Sequence, residues 1–555
     1  MKLRKSLCLM ISFFIISASI SVFAAAVGAA AGEPVFEALS YPDEALTPFS
    51  EEMLSRAVGA DGYEANKGYD ETGLYVSPYW TAEAAGATVP VYAALSYDGT
   101  CGGVLQSFTA VFVSDFGDGL TFRLRSAVHV KNADVRPYMY GVKCVVGGDT
   151  VTLTVRELGF YTVLINDDSQ EYAITLFVRE YADEEAEIAA FNVEYGAENV
   201  AVFDKGVYCA DSLDTSGKSV FYFRRGSFFS ANHVYDLLSE EEYAALPHRE
   251  AFFLLSGREN VTVTGYATFD LNRLDRKERD PLLLTWCKNC SVSGMLFLNS
   301  PHWTFTLHDC ENVEISDIAC IGYRTNSDAI NICCSRNVTV SGCFARNGDD
   351  CYSVKTTAGG IPSEHVVFDN CVAWSNKARC FGITGEDNSP INDVKFTNGA
   401  VVFHNVTWDL NRVSSLAVQV EYGGAPINDV LFENIEIHGE AGRPINVMIT
   451  NKSITNCTIE GVVFRNITAD GEERSRLAVK TVMSFIEKLK CFLYRLIIAI
   501  MPCASENESV SSLLPDGNRI SVTFDNVRIN GTKLNGANVT MFVQSSGGET
   551  IRTLS

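Results

Sequence analysis

The 555-residue chain carries 68 Asp and Glu against 44 Lys and Arg, a formal charge of −24 with His neutral, and 47% of it is hydrophobic. That apolar share supports a large core and excludes wholesale disorder. The acidity disfavours nucleic acid as a partner, because phosphate backbones are held by clustered Lys and Arg, and it disfavours a polyanionic glycan unless a local groove is basic.

Residues 1–32 read as a secretory signal: Lys2, Arg4 and Lys5 lead an apolar stretch from Leu7 to Phe23, and Ala24-Ala25-Ala26 offers a cleavage zone. An uncleaved membrane anchor is the alternative, and either way the expected location is secreted or at the cell surface. Losing Cys8 leaves 16 of the 17 cysteines. Many stand in apolar runs, as in Ile332-Cys333-Cys334 and Ala319-Cys320-Ile321. They are expected as small buried hydrophobes more than as a disulfide framework. Cys287 and Cys290 form a C-x-x-C without a second pair at zinc spacing, so no metal is expected there.

Residues 33–182 form the next unit. Short alternating runs at Val89 to Leu95, Phe108 to Val113, Leu120 to Leu124, Thr150 to Val155, Tyr161 to Ile165 and Tyr172 to Val178 predict an antiparallel β-sandwich. The run Asp115-Phe116-Gly117-Asp118-Gly119 is one of its turns. A short helix is expected at Ser239 to Leu246, opened by a capping pattern at Ser239-Glu240-Glu241-Glu242.

The unit from 195 to 555 is governed by a repeat. Apolar residues two apart are followed two positions later by Gly, Asn or Asp, first at Val261/Val263/Gly265 and then at Cys290/Val292/Gly294, Val313/Ile315/Asp317 and Val338/Val340/Gly342. The copies Val366/Phe368/Asn370, Val394/Phe396/Asn398, Val430/Phe432/Asn434, Val462/Phe464/Asn466 and Val522/Phe524/Asn526 complete the series. Residues two apart on a strand share a face, and the last position suits a left-handed turn. Starts separated by 23 to 60 residues fit stacked coils with loops of varying length. The expected fold class is therefore all-β: a right-handed parallel β-helix preceded by an N-terminal β-sandwich. A leucine-rich solenoid is the competitor, but the copies lack its Leu frame and helical half. The longest gap holds a helical insertion at 471–515. Its apolar spacing through Val482, Phe485, Ile486, Leu489, Phe492, Leu493, Leu496 and Ile497 allows, without favouring, membrane contact through a helix at 477–501.

Within the stack, Asn326-Ser327-Asp328 and Gly348-Asp349-Asp350 carry the chemistry. Asp328 and Asp350 each stand two residues before a strand residue, Ile330 and Tyr352, so they are expected at equivalent places on adjacent coils. Neighbouring carboxylates resist joint ionisation. Solvated turn aspartates or a calcium site are the bland readings. Glycoside hydrolysis is the sharper one, with one carboxylic acid protonating the leaving oxygen and another carboxylate activating water.

Ser300-Pro301-His302-Trp303, Cys310-Glu311-Asn312-Val313, Asn326-Ser327-Asp328 and Gly348-Asp349-Asp350-Cys351 through Lys355 resemble the polygalacturonase-like β-helix glycoside hydrolases, families 28 and 49. The preceding sandwich makes the dextranase branch, family 49, the nearer likeness. The resemblance implies Asp349 as general acid, Asp328 and Asp350 as the pair that holds and deprotonates water, and inversion at the anomeric carbon. It implies no cofactor. Asn326, Lys355, Arg379 and Glu386 are the candidate substrate-binding residues. Two features depart from the polygalacturonase pattern: Lys377 to Glu386 stands where a Gly-His-Gly motif is expected, and Ala417-Val418-Gln419-Val420-Glu421 has no counterpart of the Arg-Ile-Lys that grips a substrate carboxylate. Both favour a neutral polysaccharide or oligosaccharide substrate over polygalacturonate. The rival readings are a noncatalytic glycan-binding or adhesin β-helix and a polysaccharide lyase.

Overall fold

The computed structural model describes residues 33–57, 67–97, 102–167, 169–232, 251–357, 360–404, 413–440, 443–451, 453–471, 477–481, 517–545 and 549–554. The signal at 1–32, the helix at Ser239 to Leu246 and the apolar spacing from Val482 onward lie outside them.

Two sheets face each other in the first unit. One has five strands in the order Ala87–Val89, Trp80–Ala84, Leu120–Ser126, Thr150–Val155 and Cys144–Gly147. The other has seven, centred on Gly103–Asp115 and Ser169–Glu180. Those two central strands run parallel, so the second sheet is mixed and not antiparallel throughout. The run expected from Val89 to Leu95 is split, because Ala87–Val89 and Tyr92–Tyr97 belong to different sheets. Pro90 lies at the break, where a residue without an N–H cannot extend a ladder. Helix Glu184–Tyr195 leads to the first coil, capped by the Asp183 carboxylate accepting from the N–H groups of Glu185 and Ala186.

From residue 200 onward the chain winds as a parallel β-helix. An 18-stranded sheet forms two sides of each coil by bending at left-handed residues, and a ten-stranded sheet forms the third. The bend is visible in Glu311–Ile321: before Asp317 it pairs with Arg336–Ser341, and after it with Phe344–Asn347. The repeat copies are in register, as Val313 with Val338, Val338 with Val366 and Phe464 with Phe524 illustrate. All nine turn positions from Gly265 to Asn526 have positive φ. Inward residues then stack in columns. Phe368, Phe396, Phe432 and Phe464 follow one another with ring centroids 4.8 to 5.0 Å apart, the strand spacing. Turn asparagines form a second ladder outside, with Asn434 donating to Asn398 and Asn466 to Asn434 at 3.0 Å each.

Eleven of the 13 described cysteines are buried, and all 13 are free thiols. They pack as core side chains: the Cys310 thiol accepts from the Cys287 N–H at 3.4 Å across adjacent coils.

The expected insertion at 471–515 requires a correction. Gly471 closes strand Thr458–Gly471, and Leu477–Thr481 is a strand in register with Ile445–Ile449. A helix spanning 477–501 is therefore excluded at its start. A short apolar run reads equally as strand or helix, and here the open edge of the third side selects the strand. Among the described residues no helix is long and apolar enough to cross a membrane.

The sandwich packs directly on the stack. Phe108, Phe160 and Phe177 share one apolar cluster with Leu296, Phe344 and Trp374 of the coils. Buried Arg346 lies 3.6 Å over the Trp374 ring and donates to Gln106. Arg324 donates to the carbonyls of Leu274 at 2.5 Å and Lys67 at 3.1 Å. Residues from the first unit thus brace the coil edges that lead into the aspartate motifs.

Candidate active site

Asp328 precedes strand Ile330–Cys333, and Asp349 with Asp350 precede Tyr352–Thr356. Ile330 pairs with Tyr352, and the Ala329 N–H donates to the Asp350 carbonyl at 2.9 Å. The two aspartates therefore do stand at equivalent places on adjacent coils. Gly348 makes the approach possible, because a Cβ there would lie 2.3 Å from the Arg324 carbonyl oxygen. Asn347 closes the turn by donating to the Asp350 carbonyl at 3.1 Å, and the Gly348 N–H donates to Ser327 Oγ at 3.2 Å.

One carboxylate oxygen from each of Asp328, Asp349 and Asp350 lies within 4.8 Å of the others. Asp328 and Asp350 are each 2% exposed, while Asp349 is only half-buried. Asp349 Oδ2 accepts from the Asn326 N–H at 2.9 Å and Oδ1 from the Asp350 N–H at 3.0 Å.

The cations are unevenly shared. Lys355 Nζ donates to Asp328 Oδ2 at 2.7 Å and lies 3.7 Å from Asp350 Oδ2. Arg379 donates to both Asp350 oxygens at 3.0 Å, through its backbone N–H and Nη1. Burial pushes Asp349 up to about 7, reinforced by the charges of Asp328 and Asp350. Burial also raises Asp328, against the pull of Lys355. For Asp350, burial acts in the same sense, but Arg379 and Lys355 overcome it and hold this carboxyl below its ordinary value. Burial disfavours the charges on Lys355 and Arg379, and the facing carboxylates more than restore them.

The four expected substrate-binding residues fall around the cluster with different freedom. Lys355 is 5% exposed and lies 4.4 Å over the Trp303 ring. Arg379 is held by Asp350, Gln419 and Glu421. Asn326 gives its N–H to Asp349 and accepts from Arg276 Nη2 at 2.6 Å. Glu386 follows strand Phe381–Gly385 and is raised by burial, with Lys355 opposing. The residues that composition and motif did not single out are Gln419 and Glu421. Counting from the paired residues Gly385 and Val420 places Glu421 one coil beyond Glu386, a signal available only once the register is known.

Residues 256–486, which include both aspartate motifs, match the family described as Glycosyl hydrolases family 28. This segment is similar to the polygalacturonase-like β-helix glycoside hydrolases. A probable rhamnogalacturonase B of Aspergillus fumigatus is 23% identical over 225 residues, 40% of this chain and 40% of that protein. A probable rhamnogalacturonase A of Aspergillus niger is 28% identical over 237 residues, 41% of this chain and 50% of that protein. The chain thus spans half or less of the length of these relatives. Among solved structures, Dex49A from Penicillium minioluteum superposes with a TM-score of 0.58 at 11% identity, covering 88% of this chain and 96% of its own. That likeness extends the shared fold beyond the matched segment.

Proposed function

We propose that the chain is an inverting glycoside hydrolase acting on a polysaccharide or oligosaccharide. The carrying observation is that three convergent carboxyl groups are driven apart: Asp349, half-open and raised to about 7, is a proton donor, whereas Asp350 is held ionised. In the reaction Asp349 gives its proton to the glycosidic oxygen as the C–O bond breaks. Water adds to the anomeric carbon and passes a proton to the Asp328/Asp350 pair. Oxygens within 4.8 Å are closer than the roughly 6.5–9.5 Å usual for inverting pairs. Inversion is favoured here by burial: Asp328 and Asp350, each 2% exposed and tied to a cation, can hold water between them but are too enclosed to attack a sugar carbon directly.

The relatives are named for rhamnogalacturonan and polygalacturonan hydrolysis, which supports a pectic polysaccharide as the substrate class. The site favours a neutral sugar at the cleaved bond, because Lys355 and Arg379 are both engaged by carboxylates and Glu386 and Glu421 stand beside them. A noncatalytic glycan binder has no use for the divergence of Asp349 and Asp350. Export from the cell, read from residues 1–32, fits a polymeric substrate.

The test is to assay the purified protein on rhamnogalacturonan, polygalacturonate, dextran and neutral galactans, following the product anomer by proton NMR. Release of the inverted anomer, lost in Asp349→Asn, is expected. A retained anomer overturns inversion, and equal activity in Asp349→Asn overturns the assigned acid.

A further inference from the structure

Asp350 is held below its ordinary value although burial acts to raise it, and the first cause is the placement of one guanidinium. Arg379 stands one coil beyond it: the Cys351 N–H donates to the Arg379 carbonyl at 2.8 Å, and Tyr352 pairs with Phe381. The backbone N–H of Arg379 reaches Asp350 Oδ1 whatever its side chain does, but the bond from Nη1 to Oδ2 requires the guanidinium to lie back along the stack, although an arginine side chain has many rotamers to lose.

Two features fix that orientation. The fully buried Gln419, on the following coil, accepts through Oε1 from Arg379 Nε at 3.1 Å and Nη2 at 2.7 Å. Glu421 accepts from Nη2 as well. Beneath lies Gly382, paired with Ser353 on one side and Ala417 on the other. A Cβ at Gly382 would come to 3.0 Å from Arg379 Cδ, so the absent side chain leaves the space the arginine stem crosses.

We propose that Gln419 is a positioning residue of this site, locking the Arg379 guanidinium across Gly382 so that Nη1 stays on Asp350. The inference rests on the hydrolase reading above and extends it to a residue that touches no reacting atom. The charged groups bearing on Asp350 are Arg379, Lys355, Asp328 and Asp349, with Glu421 and Glu386 behind the two cations.

Two variants disturb the lock differently: Gln419→Met removes the acceptor at similar length, and Gly382→Ala crowds the stem. Each is to be made in the full chain, with carboxyl-13C aspartate labelling to follow Asp350 by NMR, its signal assigned through Asp350→Asn. In both variants the Asp350 titration is expected to move up, because the Arg379 guanidinium is no longer held against its carboxylate. The acidic limb of kcat/KM should move with it, and kcat should fall about tenfold with KM nearly constant, a split that a general packing defect does not give. An unchanged Asp350 titration in a folded variant overturns the lock. Because the NMR titration needs no turnover, a wild-type protein inactive on every glycan would sink the hydrolase reading while leaving the lock separately tested. Should Gln419→Met not fold, Gly382→Ala alone decides.

Discussion

The backbone N–H of Asp350 donates to the Asp349 carboxylate at 3.0 Å, so two acids adjacent in the chain are tied together while facing different partners. Asp350 takes Arg379 and Lys355, whereas the further bond to Asp349 comes from the neutral N–H of Asn326. An acid and a base with separated titrations can thus arise from consecutive residues, because one side of the turn is lined by cations and the other opens outward.

The pH dependence of activity follows. Asp349 must be protonated to act as donor and is raised to about 7, so kcat/KM should fall as pH rises through about 7. Asp350 is held below the ordinary carboxylate value and remains ionised at moderately acid pH, and together with Asp328, which burial raises, it sets the acid side. The three titrate as a coupled set, so the limbs report the cluster. A rate profile from pH 3 to 9 checks this, and an alkaline limb near 4 or 5 would contradict it.

Gly348→Ala should abolish activity and destabilise the fold. The new methyl group would sit 2.3 Å from the Arg324 carbonyl and 2.4 Å from that of Tyr323, both backbone atoms that cannot swing away. A cost of about 1–3 kcal/mol is expected for such overpacking, read as a lowered denaturation midpoint. A variant with wild-type stability and turnover would show that the turn relaxes freely.

Much of this arrangement is legible in the chain itself, and what is hidden has identifiable causes. The alternation at Val366/Phe368 or Val430/Phe432 specifies both the inward face and the register, since a slip of one residue would expose the pair. A second left-handed column, through Asn289, Asn312, Asn337, His365, Asp393 and Asp429, stands immediately before six of the nine apolar pairs. It passes unnoticed because His365 breaks its Asn/Asp pattern. The partners of Arg379 are hidden for a different reason: Gln419 lies 40 residues away in the chain, and the two become neighbours only once Phe381 is paired with Leu416. Leu477 to Thr481 is misread as helix because five residues carry too little periodicity to oppose the helical pattern that follows.

Lys355→Met should separate electrostatics from packing. It removes the ammonium group 2.7 Å from Asp328 and 3.7 Å from Asp350, leaving two buried acids with less compensation. Breaking such a pair costs about 3–5 kcal/mol while the partners are ionised. Without Lys355, Asp328 is raised further, so the deficit should be full near pH 7.5 and shrink as pH falls toward 4 and the carboxyls take up protons. Thermal denaturation at the two pH values measures it. An equal deficit at both would assign the loss to packing of the lysine stem against Trp303.

Asp270 tests the joint between the two units by the same linkage. Fully buried, it accepts from the Gly73 N–H at 3.0 Å and the Asn272 N–H at 3.4 Å, and burial raises it to about 7 despite those bonds. Its folded value exceeds the roughly 3.9 of an unfolded aspartate, so the folded chain holds the extra proton between those limits. The stability it contributes is full below about 4, declines as pH rises through 7, and is constant above. Asp270→Asn keeps an oxygen for Gly73 but cannot ionise, so the variant should lose less stability than wild type between pH 4 and 7. Urea denaturation across that range provides the measurement. Parallel curves for the two proteins would mean that Asp270 stays charged and that Gly73 is held by something other than a neutral acid.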